Sequence, residues 1–132
     1  MSPISTPRLA ALATGALLLA TGPAGAEGRS GETVYQATCI VCHGNGLLGA
    51  PRLGDHKRWK KLAREGLDEL VPAALKGVRA MPPKGNNPTL SDLEVARAVV
   101  FMANAGGGNF REPGDDDAMR WRALANTPRK ER

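Results

Sequence analysis

Cys39 and Cys42 are the only cysteines in the chain, and they stand three positions apart in Cys39-Ile40-Val41-Cys42, followed at once by His43. Two thiols at that spacing on a helix end can reach the two vinyl groups of one porphyrin. The residue after them then presents an imidazole to the iron from the same side. C-x-x-C-H is the attachment motif of c-type haem. His43 would bind iron through one ring nitrogen while the other donates to a backbone acceptor. Other chemistries fit the residues less well. A structural zinc site wants four ligands, and only Cys39, Cys42, His43 and His56 are on offer. A thioredoxin-like dithiol would sit among alternating strands and helices, which the sequence lacks. Iron–sulfur clusters normally take four cysteines.

A second axial ligand must come from Met81, Met102, Met119 or His56. Met81 has the best setting. It opens Met81-Pro82-Pro83, well away from the cysteines, where two prolines fix the backbone around an otherwise mobile thioether. Met102 falls inside a helical pattern and reads as core, and Met119 falls in a polar tail. A His43/Met81 pair would raise the reduction potential and favour electron transfer over oxygen chemistry. With both axial positions filled, no place is left for a small-molecule substrate.

The elements that must position these groups are all helical, about four and short. The first runs from Glu32 to Cys42 without a breaker, straight into the motif. Residues 44–54 carry four glycines and Pro51, a loop whose backbone can approach a flat ligand closely. Asp55 caps a second helix that carries Trp59 and stops at Gly66. A third has the stripe Leu67, Leu70, Val71, Ala74 and Leu75, with Asp68 as cap and Gly77 as stop. Pro72 is tolerable there only in the first turn. After the proline-rich loop 78–90, Ser91-Asp92-Leu93-Glu94 is a capping box, and the helix it opens runs from Asp92 to Asn104. Beyond Phe110 the chain is polar and reads as disordered, with Trp121 and Leu124 as the residues that could dock.

At 132 residues the chain is one small domain, and its aromatic content of 4% is low. Small domains gain too little from their own core and need a staple, a role a bound apolar cofactor can fill. The first 26 residues have the form of an export leader: Arg8, an apolar run from Leu9 to Ala20, and Ala24-Gly25-Ala26 as a cleavage pattern. That run is short of the roughly 20 residues that span a bilayer, and the mature chain has no other such stretch. The expected divisions are a leader at 1–26, a cofactor domain at 27–110 and a tail at 111–132. Export to the periplasm makes nucleic acid an improbable partner. The formal charge of +5 can steer the protein towards acidic partners, although the basic run His56-Lys57-Arg58-Trp59-Lys60-Lys61 also has the pattern of a solvated helix face.

Taken together, Gly31-Glu32-x-Val34-Tyr35, residues 39–44, Gly49-Ala50-Pro51-x-Leu53-Gly54-Asp55, Trp59 and Ala80-Met81-Pro82-Pro83-Lys84-Gly85 resemble class I monohaem cytochromes c, specifically the cytochrome c-five type of bacterial periplasms. The resemblance spans residues 31–106. It implies an all-α fold wrapped round one covalently attached haem c, with Met81 as sixth ligand and the Pro51 carbonyl accepting from His43. It places Trp59 near the haem or a propionate, with plain core packing as the alternative. Many members carry a cysteine pair after the methionine loop. Here Gly85-Asn86-Asn87-Pro88-Thr89-Leu90 has none, which leaves the loop to its prolines. The implied function is a shuttle of single electrons between redox proteins of the periplasm or inner membrane. The alternatives are a haem subunit of a periplasmic dehydrogenase or terminal oxidase, and a gas-binding or peroxidatic haem protein with an open sixth position.

Overall fold

Ser30 accepts a hydrogen bond from the Thr33 amide at 3.1 Å and so opens the first helix, α1, Gly31–Val34. In the computed structural model, which describes residues 28–128, the helical path continues through a wider π-helical stretch, Tyr35–Cys39, into α2, Ile40–His43. The expected helix is therefore present, but in its middle it widens and unwinds, each hydrogen bond spanning one residue more than in an α-helix. Such stretches concentrate at functional sites. This one buries Tyr35 and ends on Cys39.

Helix α3, His56–Ala63, starts where Asp55 accepts from the Arg58 amide at 3.1 Å, and it buries Trp59. Helix α4, Leu67–Lys76, differs from expectation twice. Gly66 is its cap, and Asp68 lies in the first turn with its carboxylate engaged by the C-terminal helix. Pro72 sits past the first turn. The helix thereby forgoes the bond to the Asp68 carbonyl, and it buries the ring alongside Val71, Ala74 and Leu75. Helix α5, Asp92–Ala105, has the expected capping box: Ser91 Oγ accepts from the Glu94 amide at 3.1 Å, and Glu94 accepts from the Ser91 amide at 2.9 Å. Gly106 to Gly108 end it in a tight turn.

The disordered tail is the main correction. Residues Asp115–Asn126 form a helix, α6, packed against α4 and α5. Asp117 starts it by accepting from the Gly114 amide at 3.0 Å, and three acids occupy the first turn, where the helix dipole favours them. Ala118, Trp121 and Ala125 then make a narrow buried stripe. The expected leader at 1–26 and the basic end from Arg129 lie outside the described residues.

Helix α5 is the hub, in contact with α1, α3, α4 and α6. Gly31 lets α1 cross it: a Cβ there would stand 2.2 Å from the Arg97 carbonyl oxygen. One core cluster gathers Val34, Val71, Leu75, Val99 and Trp121, and a second gathers Tyr35, Trp59, Met102 and Ala103. The fold is all-α, as expected. Among the described residues the only sheet-like pairing is the isolated bridge between Val78 and Met81.

Candidate haem site

Helix α2 delivers the motif. Cys39 and Cys42 are free thiols, both half-buried. Cys39 packs against both core clusters, and burial, with Cys42 nearby, pushes its thiol up to about 11. His43 is buried at the helix end, with Nδ1 2.7 Å from the Pro51 carbonyl oxygen.

The loop after α2 exists to bring that carbonyl back. Gly46 and Gly49 take left-handed backbone angles that turn the chain, and the Leu53 amide returns to the His43 carbonyl at 2.8 Å. Trp59 secures the neighbouring residue, its Nε1 donating to the Arg52 carbonyl at 2.8 Å. The Trp59 ring stands 6.4 Å from the His43 ring and belongs to a core cluster.

Met81 lies in the turn after α4. Val78 and Met81 exchange backbone hydrogen bonds of 3.0 and 2.9 Å, and Met81 packs on the cluster that also touches Cys39. Gly77 is required here: its φ is +85°, and a Cβ would meet the Met81 carbonyl oxygen at 2.9 Å. The loop does not rely on its prolines alone. Lys84 Nζ donates to the Leu90 carbonyl at 2.7 Å and pairs with Asp92 at 3.0 Å. Asn87 Nδ2 donates to Thr38 Oγ1 at 3.1 Å, which joins this loop to the residue before Cys39. Sequence reasoning missed Thr38, Asn87 and the Lys84–Asp92 pair. Nothing local to Thr38 signals that role.

The remaining candidates are elsewhere. Met102 lies on α5, buried in the second cluster, Met119 is 65% exposed on α6, and His56 begins α3. Among the described residues no three side chains of the His, Cys, Asp and Glu types converge to hold a metal ion. No helix there is long and apolar enough to cross a membrane.

The donor set suits a haem. It offers two unpaired thiols, an imidazole with one nitrogen committed to a carbonyl, and a thioether in a braced turn. A hollow of about 440 Å³ lies along residues 76–83, Met81 included. Ile40, Val41, Leu47, Leu48 and Val78 expose apolar surface on the segments around the motif and the methionine turn, Leu48 to 75%.

Comparison with known proteins agrees. The family described as cytochrome C oxidase, cbb3-type, subunit III matches residues 26–102. Cytochrome c-555 of Chlorobaculum tepidum is 37% identical over 99 residues, covering 71% of this chain and 92% of that protein. Cytochrome c5 of Azotobacter vinelandii is 46% identical over 81 residues, 60% of this chain and 98% of that one. The cytochrome c in a crystal structure of its electron-transfer complex with nitrite reductase superposes with a TM-score of 0.55 at 38% identity, covering 58% of this chain and 93% of that one. The chain belongs to this family, and within it is a small class I monohaem c-type cytochrome related to cytochromes c-555, c5 and c-551.

Proposed function

We propose that the protein is a periplasmic carrier of the cytochrome c-five type, with Cys39 and Cys42 as the thioether attachments of one haem c and His43 and Met81 as its axial ligands. The protein is an electron-transfer cytochrome and not an enzyme. When bound, the haem supplies a reversible one-electron couple at iron. The chain's own part is to hold the ligands still, so that little rearranges when the charge changes. The observation that carries this reading is the 2.7 Å contact from His43 Nδ1 to the Pro51 carbonyl. With the proton on Nδ1 donated to that carbonyl, Nε2 would be the nitrogen that holds the iron, and the bond would raise its basicity. The braced turn at Met81 does the corresponding work for the second ligand.

The family match starts at residue 26, which supports a leader at 1–26 and a cytochrome domain at 27–110. A structural relative forms an electron-transfer complex with nitrite reductase, so a periplasmic or membrane-bound reductase is the kind of partner expected here. The matched family is described as an oxidase subunit, and that favours a second reading, a haem subunit of a larger complex. Gel filtration of the purified protein separates the two, as a monomer or as a stable co-purifying partner.

The decisive test is the optical spectrum of protein matured in a periplasm able to attach haem. The oxidised form should show the weak long-wavelength band of sulfur bound to ferric iron, and Met81→Ala should abolish it. Covalent haem without that band would remove Met81 as a ligand and bring forward the gas-binding alternative, which ready carbon monoxide binding would mark. Absence of covalent haem would overturn the assignment.

A further inference from the structure

Asp92 is shared between two parts of the fold. Its Oδ1 lies 3.0 Å from Lys84 Nζ, in the loop that carries Met81. The same carboxylate takes both arms of Arg122, from α6, at 2.7 and 2.6 Å. Planar two-armed pairing of this kind fixes a carboxylate in position and rotation. We propose that α6 braces the methionine loop through Arg122 and Asp92, making Arg122 a positioning residue for the sixth ligand. The inference rests on the reading of Met81 as that ligand.

Three observations support it. The family match ends at residue 102, so α6 lies outside the matched span. Arg122 is seated by its neighbour Trp121, which is buried and anchored to Asp68 on α4 by a 2.8 Å hydrogen bond. Asp92 sits in the first turn of the hub helix, so a carboxylate fixed there holds Lys84 to the rigid part of the fold. Lys84 in turn reaches the Leu90 carbonyl at 2.7 Å and closes the loop on itself. The Arg122 guanidinium, with Lys84 after it, holds the Asp92 carboxyl down at about 2, so Asp92 is a carboxylate at neutral pH.

The test uses oxidised holoprotein and added imidazole, which competes for the sixth position. Arg122→Ala should tighten imidazole binding about three- to fivefold, the range of a partly exposed ion pair, and speed hydrogen exchange of the Gly85 and Asn87 amides. Arg122→Lys should recover part of the effect. Arg120→Ala is the control, because Arg120 pairs with Asp68 and does not touch Asp92, and it should leave imidazole binding unchanged. If Arg122→Ala fails to fold, Lys84→Gln breaks the same link from the loop side and should give the same gain. Unchanged imidazole binding in a folded Arg122→Ala protein, or an equal change in Arg120→Ala, overturns the brace. Loss of the Met81 reading is separately visible, since the wild-type protein would then lack the sulfur band, while amide exchange would still report whether α6 holds the loop.

Discussion

Asn87 Nδ2 donates to Thr38 Oγ1 across 3.1 Å, and that bond ties the loop of Met81 to the residue preceding Cys39. The amide is oriented for it, because Asn87 Oδ1 already accepts from the Thr89 hydroxyl at 2.6 Å and its amide at 3.3 Å. Thr38→Val keeps the shape and removes the acceptor, stranding a half-buried donor. The unfolding free energy of the holoprotein in denaturant should fall by about 1 kcal/mol, and Thr38→Ser should restore it. Equal midpoints for wild type and Thr38→Val would mean that the two segments are held by packing alone.

Gly106 should tolerate no side chain. A Cβ there would lie 2.1 Å from Trp59 Cβ and 2.5 Å from its Cγ, atoms at the root of a buried ring that cannot swing aside. Gly106→Ala should therefore destabilise by about 3 kcal/mol, at the upper end for overpacking. Gly54 offers a comparison of the opposite kind: its φ is +78°, and nothing stands within 4 Å of a Cβ. Gly54→Ala should cost only the left-handed backbone strain, about 1–2 kcal/mol. Thermal melts of the two variants should rank in that order, and the reverse would show that Trp59 moves away easily.

The haem attachment motif, the capped helix α5 and the proline-held methionine were legible because each depends on neighbours in sequence. Ser91 and Glu94 satisfy each other within one turn, and Cys39, Cys42 and His43 act as one local group. Asp68 was misread for the opposite reason. Its position suits a cap, but Trp121 and Arg120 claim its carboxylate across more than fifty residues. The same long-range contacts turn a polar tail into α6. The local sign was Gly114, three acids, and Ala118, Trp121 and Ala125 at helical spacing, a stripe too narrow to outweigh its charged surroundings. Pro72 shows tertiary burial overriding a local rule, since its ring is worth more in the core than the backbone bond it removes.

Acid should weaken the capping box of α5. Arg29 bonds the Glu94 carboxylate through Nε at 2.8 Å, and the Ser91 amide adds a further bond, so the folded state holds this group at about 2, below its ordinary 4.5. A depressed folded value means that the stabilisation is complete above pH 4.5 and is lost as the pH falls towards 2. Arg29 is 43% exposed and screened by water, so the contribution at neutral pH is about 0.5–1 kcal/mol. Glu94→Gln should be less stable than wild type by that amount at neutral pH, and the gap should close as the pH falls towards 2. A gap that stays constant across that range would show that the loss comes from side-chain shape and not from charge.

Trp121 decides whether α6 belongs to the folded domain. Its side chain is 2% exposed, packed in the cluster with Val71, Leu75 and Val99, and its Nε1 donates to Asp68 at 2.8 Å. Trp121→Ala would leave a large void between α4, α5 and α6 and should cost about 3–5 kcal/mol in denaturant unfolding. Trp121→Phe keeps most of the apolar bulk and removes the donor. Arg120 still satisfies Asp68 at 2.6 Å, so that variant should cost about 1 kcal/mol. Far-ultraviolet circular dichroism should show helix loss in Trp121→Ala and little in Trp121→Phe. If Trp121→Ala stays within about 1 kcal/mol of wild type, α6 is not docked in solution, and the route from Arg122 to the methionine loop has no anchor.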